Sequence, residues 1–473
     1  MASRPRTERH PNELLSGWLD RLGMSNVETA AAVTRCARAA GVSRITPHEG
    51  RVRGWRSGEM PRHPLPQFIV EAVSERAGTP LSHADLGLPG APAQPSGLSL
   101  PWRPDPTIQA LLHLTRSEAM REHTRHSESA AQVHRGNALL EPLQRWATIT
   151  APAPLTAPAG RAGAHVGTAD VENLRAVTAM YRDIDNRHGG VLSRRAVVTQ
   201  LNSGVFMPKT GIYTEAVGRE LFSAVADLGS VAGWMSFDAG HHRSAQEIFI
   251  VSLHAASEGG DKALGAHILQ CMARQMSHLE RYEDAVALVN LAQYGARRRL
   301  SPATASMLAS LEARFEALLG RHDDSDRAAG RAEDLFAGIA PADEPAHMAF
   351  FDRAELCATL GMAQQIAARG SDGADRRRRA GKSTALIHRA LDARPDHRIR
   401  SKAFDHLGLA RTHLAAGEAE GAQQETVRAL DLFGSISSHR VGDRLMELHA
   451  EAAPFGESAP AVDLRERITD AVR

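Results

Sequence analysis

A short motif recurs at forty-residue intervals and constrains the fold of the C-terminal half more than any other feature. Its copies are GHHRSA at 240–245, ERYEDA at 280–285 and GRHDDS at 320–325, and a related AGEAEGA lies at 416–422. Each copy follows one apolar helical pattern and opens another, so its small residue falls where two helices touch. This arrangement is typical of tetratricopeptide-like helix pairs, with a period longer than their usual ~34 residues.

A further helix pair is expected between Met348 and Leu391, with its turn expanded to residues 369–381. Four consecutive arginines in that turn predict a solvated charged loop, with a second phosphate or partner contact as the alternative. The last glycine of this turn begins the sequence Gly381-Lys382-Ser383, which resembles part of a phosphate-binding loop. Arg376 stands where that motif requires glycine, and no strand precedes it, so we exclude a phosphate loop.

The composition agrees with an all-helical chain, because aromatic residues make up only 4% and alanine is abundant. Two stretches rich in proline, glycine and alanine divide the chain. The fold class predicted is all-α, with an N-terminal helix-turn-helix bundle followed by a tetratricopeptide-like α-solenoid. The predicted domains are a helical bundle at 11–88, a linker at 89–106, connecting helices at 107–150, a linker at 151–167, a repeat domain at 168–455 and a C-terminal tail at 456–473.

Four helices are predicted in the N-terminal bundle. The first runs over Asn12–Leu22, the second opens at Ser25 with a capping box to Glu28 and stops at Gly41, and the fourth covers 64–77. The apolar residues predicted to face inward from the first helix are Leu14, Leu15, Trp18, Leu19 and Leu22. Those predicted to face inward from the fourth are Phe68, Ile69, Ala72 and Val73.

The third helix of the bundle carries its own start and stop signals. Thr46 is expected to cap it, in a Thr-x-x-Glu box with Glu49, while Pro47 suits the first helical position. Gly58 supplies the stop.

One face of this third helix is apolar and the other is basic. Val52 and Trp55 share the face that would pack inward. The opposite face carries two glycines, which cost helix stability unless a partner approaches the backbone closely. Its residues are Glu49, Gly50, Arg53 and Gly54.

A local excess of arginine surrounds this helix in a chain whose net charge is only +1. The arginines of this segment are Arg35, Arg38, Arg44, Arg51, Arg53, Arg56 and Arg62. The pattern favours a helix that enters a groove of double-stranded DNA, and the alternative is a short solvated helix with an arginine-rich face. The residues expected to contact DNA are Arg44, Thr46, His48, Glu49, Arg51, Arg53, Arg56 and Arg62.

Two sets of residues resemble one known family, the actinobacterial helix-turn-helix transcriptional regulators with a C-terminal tetratricopeptide-like domain. The N-terminal set is Trp55, Gly58, Pro61, Arg62, Pro64, Pro66, Glu71, Ala72 and the segment Ala84–Leu88. The C-terminal set is Asn186–Gly190, Tyr213–Arg219, Ala232–Met235 and Asp238–Gly240. The resemblance implies a regulator of development or secondary metabolism. The chain departs from the family pattern at 49–51, where it has Glu-Gly-Arg.

No catalytic or metal-binding motif occurs in the sequence, which has no Gly-x-Ser-x-Gly, His-Glu-x-x-His or Cys-x-x-Cys. His123 and His126 form an isolated pair without further ligands. Three widely spaced cysteines fit a reducing cytosol, and no apolar run is long enough for a membrane span. We therefore expect a cytoplasmic protein that is not an enzyme, needs no cofactor or metal and does not contact a membrane.

The repeat domain is expected to form a homodimer and to bind an effector, either a small molecule or a peptide, on its concave side. The residues predicted to line that groove are Arg187, Tyr213, Arg219, Trp234, His278 and Arg353. The alternative is that these arginines pair with nearby acids such as Asp183, Asp185 and Glu220 and only hold the repeats together. For Trp234 the alternative is a place in the core.

Two functions are compatible with these patterns. The first is a sequence-specific DNA-binding regulator. The second is a protein–protein adaptor of tetratricopeptide type whose helix-turn-helix is degenerate and does not bind DNA.

Overall fold

The chain forms two compact units, residues 1–96 and residues 97–473, in the computed structural model. The structure describes residues 10–39, 42, 44–62, 64–79, 81, 83–89, 97–121, 133–155, 163–456 and 458–472. Helices make up 77% of the structure, which confirms the all-α prediction. Among these described residues, the β-structure consists of one isolated bridge between His165 and Ile212. None of the described helices is long and apolar enough to cross a membrane.

The helices are numbered in chain order. In the first unit they are α1 Glu13–Arg21, α2 Asn26–Ala39, α3 Glu49–Arg56 and α4 Leu65–Ala77. In the second unit they are α5 Pro104–Arg121, α6 Asn137–Thr148, α7 Thr168–His188, α8 Arg194–Thr210, α9 Glu215–Asp238, α10 His242–Gly259, α11 Lys262–His278, α12 Tyr282–Ala296, α13 Pro302–Leu318, α14 His322–Phe336, α15 Arg353–Arg369, α16 Gly373–Ala393, α17 Ile399–Ala416, α18 Ala419–Phe433, α19 His439–Glu451 and α20 Ala459–Val472.

Helices α1, α2 and α4 of the first unit match the predicted ones closely, and the start of α3 differs. The capping box at the start of α2 is confirmed: the Ser25 N–H donates to the Glu28 carboxylate over 2.9 Å, and the Glu28 N–H donates to Ser25 Oγ over 3.2 Å. Gly41, the predicted stop of α2, lies outside the described residues. The four residues predicted to face inward from α4 are all buried.

The inward face of α1 is narrower than predicted. Leu15 and Leu19 are fully buried, but the Leu14 side chain is 55% exposed, so its predicted place in the core is wrong. Residues 15 and 19 lie four apart on one stripe, and Leu14 lies about 100° around the helix from Leu15. A short helix on a small core buries one stripe only.

The repeat turns of the second unit are where the forty-residue motif placed them. Gly240, Gly320 and Gly417 each follow a helix with positive φ, at +80°, +74° and +84°. Glu280 holds the equivalent place in the second copy with φ of 59°, and it is the one non-glycine residue with positive φ in the described part of the chain. Each turn reverses the chain so that the helices before and after it pack as a pair.

Helices α5 and α6 belong to the second unit rather than to a separate connecting region. Their buried side chains join the hydrophobic core of the repeats. Trp146 of α6 inserts between α11 and α12, where a Cβ atom on Gly265 or Gly295 would lie 2.6 or 2.3 Å from its ring. Glycine at these two positions therefore makes room for the indole.

The predicted expanded turn at 369–381 is wrong, because α16 begins at Gly373 and only three residues separate it from α15. Its four arginines are helical and not a solvated loop. The Arg379 side chain is 5% exposed and pairs with Asp326 at 3.0 Å. Ser383, from the rejected Gly-Lys-Ser motif, lies inside α16 and donates to the Gly361 carbonyl over 2.9 Å.

Residues near the C-terminal end of the solenoid contact its first helices. The Ser437 N–H donates to the His188 carbonyl over 3.0 Å. Arg400 of α17 pairs with Asp185 of α7 at 2.6 Å and with Asp238 of α9 at 3.0 Å. We call these contacts the seam. Beyond it, residues 459–472, within the segment assigned to a C-terminal tail, form α20 and pack against α18 and α19.

Two glycines ten residues apart give opposite expectations for the same substitution. A Cβ atom at Gly320 or at Gly330 would meet nothing within 4 Å, but only Gly320 has positive φ. We expect Gly320→Ala to lower the free energy of unfolding by ~1–2 kcal/mol, because a left-handed backbone disfavours L side chains. Gly330→Ala, inside exposed α14, should raise it by up to ~1 kcal/mol. Urea unfolding of the full chain measures both, and equal shifts would contradict the assignment of the turn.

The seam gives a second expectation. Asp238→Asn should lower the free energy of unfolding by ~3–5 kcal/mol, because it leaves Arg440 without its carboxylate partner and Arg400 with Asp185 alone. Asp183→Asn is the matched control, since Asp183 pairs with Arg187 on the surface and the two side chains are about half exposed. The control should change stability by less than ~1 kcal/mol. Similar losses in the two variants would show that the seam contributes no more than a surface pair.

Candidate nucleic-acid interface and central cavity

The orientation of α3 is fixed by its buried face and by Asn12. Val52 and Trp55 are 0% and 1% exposed, as predicted. The Asn12 N–H donates to the Arg56 carbonyl over 2.9 Å, and its side-chain amide donates to the Leu86 carbonyl over 2.9 Å. These hydrogen bonds connect the end of α3 to the start of α1 and to the last turn of the unit. The face of α3 that carries Glu49 and Arg53 therefore points outward.

The predicted start of α3 is wrong. His48, not Thr46, is the N-cap residue, and no side chain caps the helix. Glu49 is consequently the first helical residue rather than the third, so its carboxylate cannot complete a box with Thr46, and Pro47 lies before the helix. Glu49 instead pairs with Arg53 at 3.2 Å, one turn along the helix.

The predicted stop of α3 is confirmed, since Gly58 has φ of +92° directly after the helix. A glycine on the outer face has an internal explanation as well. A Cβ atom at Gly54 would lie 2.5 Å from Glu59 Oε2, so Gly54 makes room for that carboxylate. Glu59 pairs in turn with Arg51 at 2.8 Å.

Three arginines of α3 therefore have carboxylate partners within the unit: Arg51 with Glu59, Arg53 with Glu49, and Arg56 with Asp20 at 2.5 Å. The Arg53 side chain is 68% exposed, whereas that of Arg56 is 27% exposed. The other arginines of the basic segment have no ion pair among the described residues and are exposed to solvent; they are Arg35, Arg38, Arg44 and Arg62. Thr46 and His48 are also exposed.

A central cavity of about 210 Å³ lies inside the second unit. Its walls are the odd-numbered helices α7 to α19 with adjoining loop residues, so it is the concave side of the closed solenoid. Of the six residues predicted to line this side, Trp234 and His278 do so. Trp234 also packs edge to face on Phe237, with the ring centroids 5.5 Å apart, and so contributes to the core at the same time.

The other four predicted groove residues lie outside the cavity lining. Tyr213 donates its hydroxyl to the Pro208 carbonyl over 3.0 Å, and burial raises the pKa of this phenol. The other three make local contacts: Arg187 with Asp183 at 2.9 Å, Arg219 with Glu215 at 2.6 Å, and Arg353 over the Phe336 ring at 5.0 Å. These contacts are those of residues that hold neighbouring turns together.

The arginines that do line the cavity were missed from the sequence. Five of them, which we call the guanidinium cluster, come from four helices: Arg274, Arg314, Arg411, Arg440 and Arg444. A signal was present for two of these, since Arg274 and Arg314 each interrupt an apolar stretch of an inner helix. Charge within an apolar face indicates either a buried ion pair or a ligand.

Two carboxylates in and beside the cavity, those of Glu355 and Asp238, are held ionised by neighbouring arginines. Burial alone would raise the pKa of Glu355, but Arg394 at 3.1 Å and Arg274 at 3.4 Å lower it to about 2. Burial would likewise raise the pKa of Asp238, and the charges of Arg400 and Arg440 lower it instead. No group of three or more His, Cys, Asp or Glu residues able to hold a metal ion occurs in the described part of the chain. His123 and His126 lie outside that part.

Comparison with known proteins bears on the first unit only. A family model described as the SP15 N-terminal domain matches residues 15–89, which run from the first turn of α1 through α4 and the turn after it. No curated protein matches the chain. The match groups α3 and most of its basic surroundings with that domain, and it does not extend to the repeats or the cavity.

Proposed function

We propose that the protein is a sequence-specific DNA-binding transcriptional regulator that acts without catalysis, and that its repeat domain holds a dimer and senses an effector. The observation that carries the proposal is the fixed orientation of α3. Its apolar face is locked in the core, so Glu49 and Arg53 point outward with side chains 54% and 68% exposed. An exposed polar helix face beside unpaired arginines is what a DNA groove accepts.

The surface pairs of α3 are compatible with this role. An exposed Arg–carboxylate pair stabilises a protein by only ~0–1 kcal/mol, so a guanidinium can leave it for a phosphate or a base edge at little cost. Arg53 is placed to read a guanine, and Glu49 can accept from a cytosine amino group. Arg51 and Arg62 flank this face and suit phosphate contacts.

The adaptor alternative is favoured by one observation: Arg51, Arg53 and Arg56 all have acidic partners within the unit. In that function the first unit is a structural remnant, and the pairs are permanent. The adaptor function predicts no duplex binding at any salt concentration. DNA binding that weakens steeply with salt contradicts it, because phosphate contacts release counterions.

The two α3-region arginines should differ in their effect on DNA binding. On a duplex recovered by genomic footprinting, Arg53→Ala should cost ~1–3 kcal/mol and relax preference at one base pair. Arg62→Ala should weaken specific and random duplex equally and reduce the log–log salt slope by ~0.9 for each phosphate that the protein no longer neutralises. Fluorescence anisotropy with the full chain measures these quantities.

The matched control for both variants is Arg327→Ala. Arg327 is an exposed arginine of α14 with an exposed carboxylate partner, Asp324. Its removal should leave DNA affinity unchanged. If Arg53→Ala and Arg62→Ala affect specific and random duplex identically, the assignment of base and phosphate contacts is wrong.

Dimerisation is the other testable part of the proposal. One helix-turn-helix reads few base pairs, so two are usually placed about 34 Å apart or at a multiple of that distance. We expect the repeat domain to dimerise at micromolar concentration. The fragment to test is residues 97–473, because α5 and α6 share the core of the repeats and must be kept. Light scattering on this fragment and on the full chain tests the expectation. Dimers of the full chain with a monomeric fragment would place the interface in the first unit.

A further inference from the structure

The cavity of the second unit contains more guanidinium groups than its carboxylates can pair. Its nine lining arginines are Arg182, Arg274, Arg314, Arg394, Arg398, Arg400, Arg411, Arg440 and Arg444. The carboxylates that pair with them are Asp185, Asp227, Asp238, Glu355, Asp405, Glu447 and Glu451. Arg314 and Arg398 have no carboxylate partner among the described residues.

Arg314 is the least satisfied of these groups. Its side chain has no hydrogen bond or ion pair with any described residue, and its Nε atom is buried without a partner. Burial, together with the charges of the other four members of the guanidinium cluster, lowers its pKa to about 9. It still carries its charge at pH 7, because that pH is below its pKa. A partly buried cation surrounded by cations destabilises the protein.

The cluster members beside Arg314 are held in place by their own contacts. Arg440 lies over the rings of Trp234 and Phe404, at 4.7 and 5.1 Å, and pairs with Asp238 at 3.3 Å. Arg444 pairs with Glu447 at 2.5 Å. These guanidiniums are therefore preorganised and do not depend on a ligand for their orientation.

Besides these charged groups and several other polar side chains, the lining has a set of large apolar and aromatic residues. Its large side chains are Val231, Trp234, Phe237, Phe315, Phe350, Met362, Phe404 and Leu407. A ligand that combines an anionic group with an apolar body matches both the guanidinium groups and these apolar side chains. Among common anionic groups, a phosphate monoester carries ≈ −1.5 to −2 charge at pH 7 and three acceptor oxygens, so it can serve several arginines at once. A carboxylate matches a single guanidinium fork.

We propose that this cavity binds a small organic phosphate monoester, with its phosphate at Arg314 and Arg444 and its apolar body against Trp234 and Phe404. The ligand is the effector of the regulator proposed above, and that regulatory meaning rests on the proposed function. Binding itself does not require DNA. A test without DNA therefore separates failure of this site from failure of the regulatory function.

The test is calorimetric titration and thermal unfolding of the full chain with phenyl phosphate as probe. We expect saturable binding, a raised Tm, and weaker binding of benzoate and of inorganic phosphate. Arg314→Gln should lower affinity for phenyl phosphate by about tenfold or more, since the variant cannot form a hydrogen bond between two charged groups. Without ligand, this variant should melt at the same temperature as the wild type or higher, because an unpaired cation has been removed.

The matched control is Arg331→Gln, an arginine of outer helix α14 that is half exposed and pairs with Glu312; it should bind phenyl phosphate as the wild type does. Arg444→Gln removes a second guanidinium of the cluster and should also weaken binding of phenyl phosphate. Absence of saturable binding by the wild type at millimolar concentration would overturn the proposal. So would equal affinity of wild type and Arg314→Gln, or a lower Tm of unliganded Arg314→Gln. Tighter binding of benzoate than of phenyl phosphate would replace the phosphate by a carboxylate and overturn the assigned class.

Discussion

The carboxylate of Asp238 is the contact on which the architecture of the second unit depends. It lies at the end of α9 and accepts from Arg400 of α17, Arg440 of α19, Ser438 and the Gly190 N–H. Helix pairs that meet only their neighbours form an open superhelix. Here one buried carboxylate joins residues about two hundred positions apart, and the superhelix closes around a cavity.

This closure also fixes how the seam responds to acid. The charges of Arg400 and Arg440 outweigh burial and lower the pKa of Asp238. A carboxyl whose pKa is lower in the folded state adds stability above its unfolded pKa of ~3.9, and that contribution disappears as the pH falls through the folded value. Glu355, with a pKa of about 2, behaves in the same way. The carboxylates of Asp238 and Glu355 therefore contribute their full stabilisation of the closed form at neutral pH.

Features that depend on local sequence pattern were predicted correctly, whereas features that depend on contacts between residues far apart in the sequence were missed. The repeat turns were predicted because a residue that can adopt the left-handed conformation, followed by a short polar gap, is a local sequence signal. The prediction was correct even where Glu280 replaces glycine. The buried Val52/Trp55 face follows from helical spacing alone. The arginine run at 376–379 was assigned to a loop because nothing nearby shows that Asp326, some fifty residues earlier, receives Arg379. The guanidinium cluster was missed for the same reason, since its members meet only after the solenoid closes.

Arginine–carboxylate pairs serve two different purposes in the two units, and solvent exposure separates them. On α3 the pair of Arg53 with Glu49 is mostly exposed, so water replaces either partner readily and a nucleic-acid phosphate or base can compete for the guanidinium. At the seam, the side chain of Arg400 is 8% exposed and that of Asp238 is 0% exposed, so breaking the pair would leave two buried charges, each with one partner fewer and no water to replace it. Arg314 is the intermediate case, buried enough for its charge to cost free energy but open to the cavity. An anion bound there would be a charge partner for Arg314, as Asp238 is for Arg400. It would stabilise the closed solenoid relative to any opened form by the difference between its binding free energies for the two forms.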